Sequence, residues 1–429
     1  MLLLAVPLLF QSAAADPAVL FQAGRVAEAE RTLKAELARS PSDARSLMLM
    51  AVVLDSQKRY SEAEPYYRRA AKAAPDAPAV WNNFGNHWIA VGNGSEARKA
   101  FEKVVVLAPT HPNANLQLGR LAVEGRDGAG ALRYLRAAGA DRVEDPAVQA
   151  LYARALALGG DYAHAEQLFS SALDRNPNDL DTLYNLGLAA LNAGHRDRAI
   201  EALMIARQRK PDDPDVLVAL ARAYLDAGKL DPVFDALTEA SRIAPKREDV
   251  YGLLARACTV AGFYADAAQA WDEYLKLEPG DETARRERAF ALVRGGGFKS
   301  GLPELEAYVT RHPEDSLGHF QLGVAYTVTD PARSAKELTR SIELDPKFAD
   351  GYYVRGALLL REGKAAEAAK DLERSIALAP NNARALDQLG QAYRDSDRPA
   401  DAERVLRHAA TLDPKDGAIA MHLGYVLRD

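Results

Sequence analysis

Proline returns along this chain at a nearly constant step. Pro41, Pro75, Pro109, Pro177, Pro211, Pro245, Pro279, Pro313, Pro346, Pro380 and Pro414 stand about 34 residues apart or at a simple multiple of it, with one interval a residue short. A step of that length is the signature of a helix–turn–helix unit used repeatedly. Such a unit packs only on its neighbours, so stacking produces a long surface rather than one enclosed cleft.

The repeat overrides the two or three domains that 429 residues would otherwise suggest. Hydrophobic residues make up 48% and charged residues 27%, ample for a continuous core. The formal charge of -6 speaks against nucleic-acid binding, which shows as a basic excess. The one uncharged apolar run, Leu2 to Phe10, is too short to span a bilayer. Followed by Ala13, Ala14 and Ala15, it fits the apolar region and cleavage site of a secretory signal, although no basic residue precedes it. Residues 1–15 are therefore expected to be a signal peptide, and the chain to be exported to a bacterial periplasm or cell surface. An Ala- and Arg-rich composition agrees with a bacterial source. The alternative is an apolar first helix of the array in a cytoplasmic protein; Pro7 and the lack of a helical stripe weigh against it. Cys258 is the sole cysteine, which excludes an intrachain disulfide and a cysteine metal cluster. It falls at a core position of its repeat, where a thiol acts as a small hydrophobe.

Aligned on the prolines, full units start at Ala44, Pro78, Pro112, Pro146, Leu180, Pro214, Glu248, Glu282, Ser316, Ala349 and Ala383. A partial unit occupies 16–43 and a capping helix 417–429. In the unit from Leu180, Leu183, Leu186, Gly187 and Ala190 form the i, i+3, i+4, i+7 stripe of an amphipathic helix. Gly194 then stops that helix, because it can take a left-handed cap conformation. Ala199, Leu203 and Ala206 mark a second helix, which Pro211 ends, and Asp213 stands where a carboxylate caps the next helix. The unit from Pro78 is the fullest, with Trp81, Phe84, Gly85, Trp88, Ala97, Phe101 and Pro109.

This succession of large apolar, Leu-Gly, aromatic, Ala, aromatic, Ala and Pro resembles the tetratricopeptide repeat family, and it runs in register through eleven units across 44–416. The resemblance implies an all-α, right-handed superhelical solenoid of antiparallel helix pairs, with the first helix of each pair lining a concave face. Three units depart from the pattern. That of 112–145 has Gly125, Gly128, Gly130 and Gly139, with Val143 in place of proline. That of 282–315 has Gly295, Gly296, Gly297, Gly301 and Pro303, with Arg285 and Arg288 where the family buries apolar residues. That of 316–348 is a residue short and has Asp330 and Pro331 at its turn. Glycine within a helix weakens it by about 1 kcal/mol, so these units are expected to be the softest, either as hinges or as drift propped by strong neighbours.

Catalytic patterns are missing. The histidines form no His-Glu-x-x-His or Cys/His ligand set, and Gly295 to Ser300 lacks the glycine that a phosphate loop places before its lysine. No enzyme activity, metal or cofactor is expected. The family resemblance implies instead that an extended peptide lies in the groove. Arg120, Arg154, Arg222 and Arg256 share one position in four units, with Arg286 on a nearby row. Their guanidinium forks suit the carboxylates of an acidic partner; pairing with Asp181, Asp215 and Asp249 at the start of the same face is the competing reading. Asn83, Gln117, Asn185, Gln321 and Gln388 recur just before the Leu/Phe-Gly step, thickened by Asn82 and Asn86. Side-chain amides both donate and accept, and so can hold a peptide main chain. This row resembles the asparagine ladder of the O-linked N-acetylglucosamine transferases, in alternate units only. Tyr184, Phe320 and Tyr353 add aromatic surface on that face.

The expected function is a non-enzymatic scaffold or adaptor for a protein or peptide, in an exported envelope, secretion or exopolysaccharide assembly. The alternative is the regulatory or substrate-binding arm of a larger enzyme system whose catalytic part lies elsewhere.

Overall fold

The computed structural model describes residues 16–428, so the expected signal peptide, 1–15, lies outside it. The described residues form 25 α-helices, one 3-10 turn and no strand. The chain divides into two compact units, Met1–Pro211 and Asp212–Asp429.

The first unit contains α1 (Pro17–Gln22), α2 (Val26–Arg39), α3 (Ala44–Ser56), α4 (Tyr60–Ala73), α5 (Pro78–Val91), α6 (Gly94–Leu107), α7 (Pro112–Glu124), α8 (Gly128–Ala137), α9 (Pro146–Leu158), α10 (Tyr162–Arg175), α11 (Leu180–Asn192) and α12 (Arg196–Arg209). The second contains α13 (Pro214–Asp226), α14 (Leu230–Ile243), α15 (Glu248–Ala261), α16 (Tyr264–Leu277), α17 (Glu282–Arg294), α18 (Phe298–Arg311), α19 (Ser316–Tyr326), α20 (Pro331–Leu344), α21 (Ala349–Arg361), α22 (Ala365–Leu378), α23 (Ala383–Asp395), α24 (Pro399–Leu412) and α25 (Gly417–Arg428).

Six helix pairs are locked by a glycine opposite a large side chain. A Cβ on Gly187 of α11 would lie 2.4 Å from Cγ of Leu203 on α12, and Leu203 is fully buried. The same lock recurs as Gly85 with Phe101, Gly119 with Leu135 and Gly390 with Leu406. Burying such a side chain contributes about 1.5–3 kcal/mol, so the recurring locks add up along the stack. Capping follows the same rhythm: Asp213 accepts from Asp215 N at 3.0 Å and Asp281 from Ala284 N at 3.0 Å, satisfying backbone donors at helix starts.

Within each unit, a first helix packs on its own second helix, and that second helix on the next first helix. First helices also meet first helices directly, as α3 with α5, α7 with α9, α13 with α15 and α17 with α19, whereas second helices show no comparable mutual contact. The odd-numbered helices therefore form the tighter, inner face of each unit, and residues spaced by four on them point into it.

The departing repeats are held by local substitutes for the pattern. Gly301 brings α18 against α17, since a Cβ there would lie 2.5 Å from the Ala289 carbonyl oxygen; Gly128 does the same against the Leu158 backbone at 2.7 Å. These glycines permit close packing in addition to weakening their helices. In α17, ion pairs stand where the apolar stripe is missing. Arg288 reaches Asp272 at 2.5 Å and Glu304 at 2.9 Å, while Arg285 pairs with Glu282 at 2.9 Å. Arg355 of α21 repeats the device with Asp371 at 2.7 Å. In the short repeat, Asp330 caps α20 by accepting from Arg333 N at 3.0 Å.

Candidate binding groove

The inner face of each unit is hollowed. In the second unit a trough of about 1200 Å³ runs along α13, α15 and α17, where Arg222, Arg256 and Arg286 stand with Leu253, Val260, Trp271 and Tyr274. In the first unit a smaller hollow of about 290 Å³ lies among α7, α9 and α11 and holds Arg120, Arg154 and Asn185. The structure thus brings each half of the expected arginine row into a cavity.

Arg120, Arg154, Arg222 and Arg256 are exposed, and none makes a hydrogen bond or ion pair with another described residue. The aspartates proposed to neutralise them are engaged elsewhere or stand apart. Arg247 takes both Asp215, at 2.6 Å, and Asp249, at 2.5 Å. Asp181 offers its backbone carbonyl to Asn185 Nδ2 at 2.7 Å. Arg247 escaped notice in the sequence, yet it has a signal: it occupies the slot before its helix where Asp213 and Asp281 stand in neighbouring repeats.

Arg286 is different from the other four. It is 6% exposed, paired with Glu287 at 2.6 Å and Asp315 at 2.5 Å, and stacked on the Tyr308 ring. Burial pushes the Asp315 carboxyl up, but the Tyr308 hydroxyl, the Gly318 backbone and Arg286 outweigh it and hold the group below the usual carboxylate range. Arg286 is thus an internal strut between repeats, and its guanidinium is already committed.

The amide row does not form a ladder of free groups. Asn83 Nδ2 donates to the Ala79 carbonyl at 3.0 Å, and Asn185 to that of Asp181, each four residues back on its own helix. Asn113 Nδ2, missed in the sequence, donates to Asn82 Oδ1 at 2.8 Å and Asn86 Oδ1 at 3.2 Å, tying α7 to α5. Gln321 is buried and donates to both Glu287 oxygens, at 3.2 and 3.1 Å. Gln117 and Gln388 are half-buried. Among the aromatics, Phe320 stacks edge-on against Phe348 with centroids 4.9 Å apart, Tyr353 packs on the C-terminal core, and Tyr184 is half-buried.

Cys258 is 5% exposed, and burial, with a contribution from Asp266, pushes its thiol up to about 11, so it stays protonated. Among the described residues no group of three or more His, Cys, Asp or Glu could hold a metal ion, and no helix is long and apolar enough to cross a membrane.

The family model described as the C-terminal domain of cilia and flagella-associated protein 70 matches residues 71–290. Two tetratricopeptide repeat models match 19–78, 324–383 and 359–423. Tetratricopeptide repeat protein 7B of Homo sapiens is 33% identical over 101 residues, 22% of this chain and 12% of that protein. The chloroplastic PsbB mRNA maturation factor Mbb1 of Chlamydomonas reinhardtii is 34% identical over 84 residues, 19% of this chain and 13% of that protein. The matched part spans about an eighth of the length of these relatives. The crystal structure of yeast Tom70 aligns with a TM-score of 0.50 at 16% identity, covering 90% of this chain and 95% of that one, a likeness of fold.

Proposed function

The chain belongs to the tetratricopeptide repeat family, and we propose that it is a non-enzymatic protein-binding scaffold whose partner lies on the inner, first-helix face. The observation that carries this reading is the trough of about 1200 Å³ along α13, α15 and α17. It is open, several repeats long, and lined by unpaired guanidiniums beside aliphatic and aromatic surface, the mixture that a polypeptide's side chains and main chain can fill. Solved relatives of the same repeat type include a protein described as having an unusual peptide-binding site.

Export to a cell envelope is part of the proposal. It rests on the leader-like run from Leu2 to Ala15, and N-terminal sequencing of the mature protein tests it: a chain beginning at Asp16 is expected, and one retaining Leu2 overturns it.

Site-specific photocrosslinking tests the groove. Benzoylphenylalanine at position 253 or 260, on α15, is expected to trap a protein partner in cells. The same group at exposed position 106, on α6, is not. Equal trapping from both faces overturns the reading.

A further inference from the structure

The two units carry the same surface pattern at an offset of 102 residues. In the first, α7 presents Arg120 and Glu124, and α9 presents Arg154 and Leu158. In the second, α13 presents Arg222 and Asp226, and α15 presents Arg256 and Val260. On each pair of neighbouring first helices the order is arginine with an acid four residues on, then arginine with an aliphatic residue four residues on. Residues four apart share a helix face, so each set forms one patch. Between the sets, α11 breaks the pattern with Leu188 and Asn192 at the equivalent places.

All eight side chains are exposed, Leu158 at 36% and Val260 at 66%. None of the six charged ones has a hydrogen bond or ion pair with a described residue. The acid follows its arginine, the weaker of the two orders for a helical pair, and each patch presents two guanidiniums with no ion-pair partner; other acids share the hollows, Asp179 and Asp181 in the first and Glu248, Asp249, Asp281 and Glu287 in the second. Each patch also sits in a hollow: Arg222, Asp226, Arg256 and Val260 all line the trough of the second unit, and Arg120, Glu124 and Arg154 line the hollow of the first. Unpaired exposed charge and exposed aliphatic surface contribute nothing to the fold, yet they recur together at one register.

We propose that these are duplicate docking patches, each taking one acidic, aliphatic-containing segment of a partner protein, so that one chain binds two copies of the segment. The partner's carboxylates meet the arginine pair as charge-assisted, bidentate bonds, its aliphatic side chain covers Leu158 or Val260, and a donor faces Glu124 or Asp226. Two modest sites on one chain give a partner with two such segments an avidity above that of either site.

This inference rests on the proposed inner-face binding, and the experiment separates the two. A peptide selected from a random twelve-residue library on the immobilised full-length protein serves as probe, with calorimetry for stoichiometry and hydrogen exchange for location. An acidic peptide binding two equivalents is expected. Arg154→Glu and Arg256→Glu should each remove one equivalent, and the double variant should lower affinity at least tenfold at both sites; Arg154→Gln and Arg256→Gln give milder versions of the same losses. Melting curves unchanged by these substitutions show that the fold is intact. A stoichiometry of one, abolished by either single variant, overturns the duplication. A peptide that protects other first helices and ignores both reversals overturns the patches but leaves inner-face binding. Protection confined to even-numbered helices, or a library that yields no binder, overturns both.

Discussion

Arg247 Nη1 lies 2.6 Å from Asp215 Oδ1, reaching from the start of α15 back to the start of α13. Its other nitrogen holds Asp249 at 2.5 Å. One guanidinium thereby ties up two carboxylates that would otherwise face Arg222 and Arg256. The pair is largely solvated, with 62% of the Asp215 side chain exposed, and such pairs contribute about 0–1 kcal/mol. Arg247→Ala should therefore shift the urea midpoint little, while weakening an acidic probe peptide several-fold because two uncompensated aspartates now repel it. Unchanged peptide affinity would show that these aspartates lie outside the reach of the groove.

Arg286 and Arg256 should behave as opposites. Removing one partner of a buried pair strands the others and costs about 3–5 kcal/mol; Glu287 and Asp315 retain some solvent, at 25% and 24% exposure, so about 2–3 kcal/mol is expected for Arg286→Ala. Arg256→Ala should stay within about 0.5 kcal/mol, as for an unpaired surface residue. Denaturation of the two variants side by side decides it, and similar losses would contradict the burial difference.

The Gly187–Leu203 lock predicts a compensating pair. Gly187→Ala forces a methyl to 2.4 Å from the Leu203 Cγ, and overpacking of this kind costs about 1–3 kcal/mol. Leu203→Ala alone should cost about 2–5 kcal/mol, and in the double variant the two losses should sum to less than their separate values. A double-mutant cycle with no coupling would refute the lock.

Glu30 predicts an acid limb. Its hydrogen bond with Lys34, against burial and with help from Gln57 and Arg59, holds its carboxyl at about 2 instead of 4.5. A lowered folded-state pKa gives stability that is complete above about 4.5 and is lost as pH falls towards 2. Since Lys34 is 61% exposed and Arg59 33%, screening leaves about 1 kcal/mol. Wild type should exceed Glu30→Gln by that margin at pH 7, with the gap closing between pH 4.5 and 3; urea titrations across that range would show a constant gap if the assignment were wrong.

Cys258 should resist alkylation. With its thiol pushed up to about 11 and 5% exposed, iodoacetamide at pH 8 is expected to modify native protein far more slowly than protein in urea.

The helix pairs were legible because their determinants lie within one repeat. Gly187, Leu203 and Asp213 each act on residues at fixed short spacing, so pattern and contact coincide. The groove was legible only in part. Arg256 and Arg286 look alike along the chain, yet one is free and the other is buried and paired, and the partner that holds Arg286, Asp315, lies 29 residues away on the next repeat. The amide row misled for a related reason: an asparagine on a helix finds its own carbonyl four residues back before it finds a partner. Arg285 and Arg288 announced a soft repeat, and the acids that hold Arg288, Asp272 and Glu304, belong to other helices.

Stacking in which helices meet only those one or two places along has a consequence for ancestry. No side chain depends on what stands three repeats away, so a block of whole repeats can be copied in tandem and every junction it creates is of a kind already present. A recurrence of four surface positions at a 102-residue offset is what such copying would leave behind, and it means that a second ligand-binding patch can be acquired in a single genetic event, ready-made, with no new core to evolve.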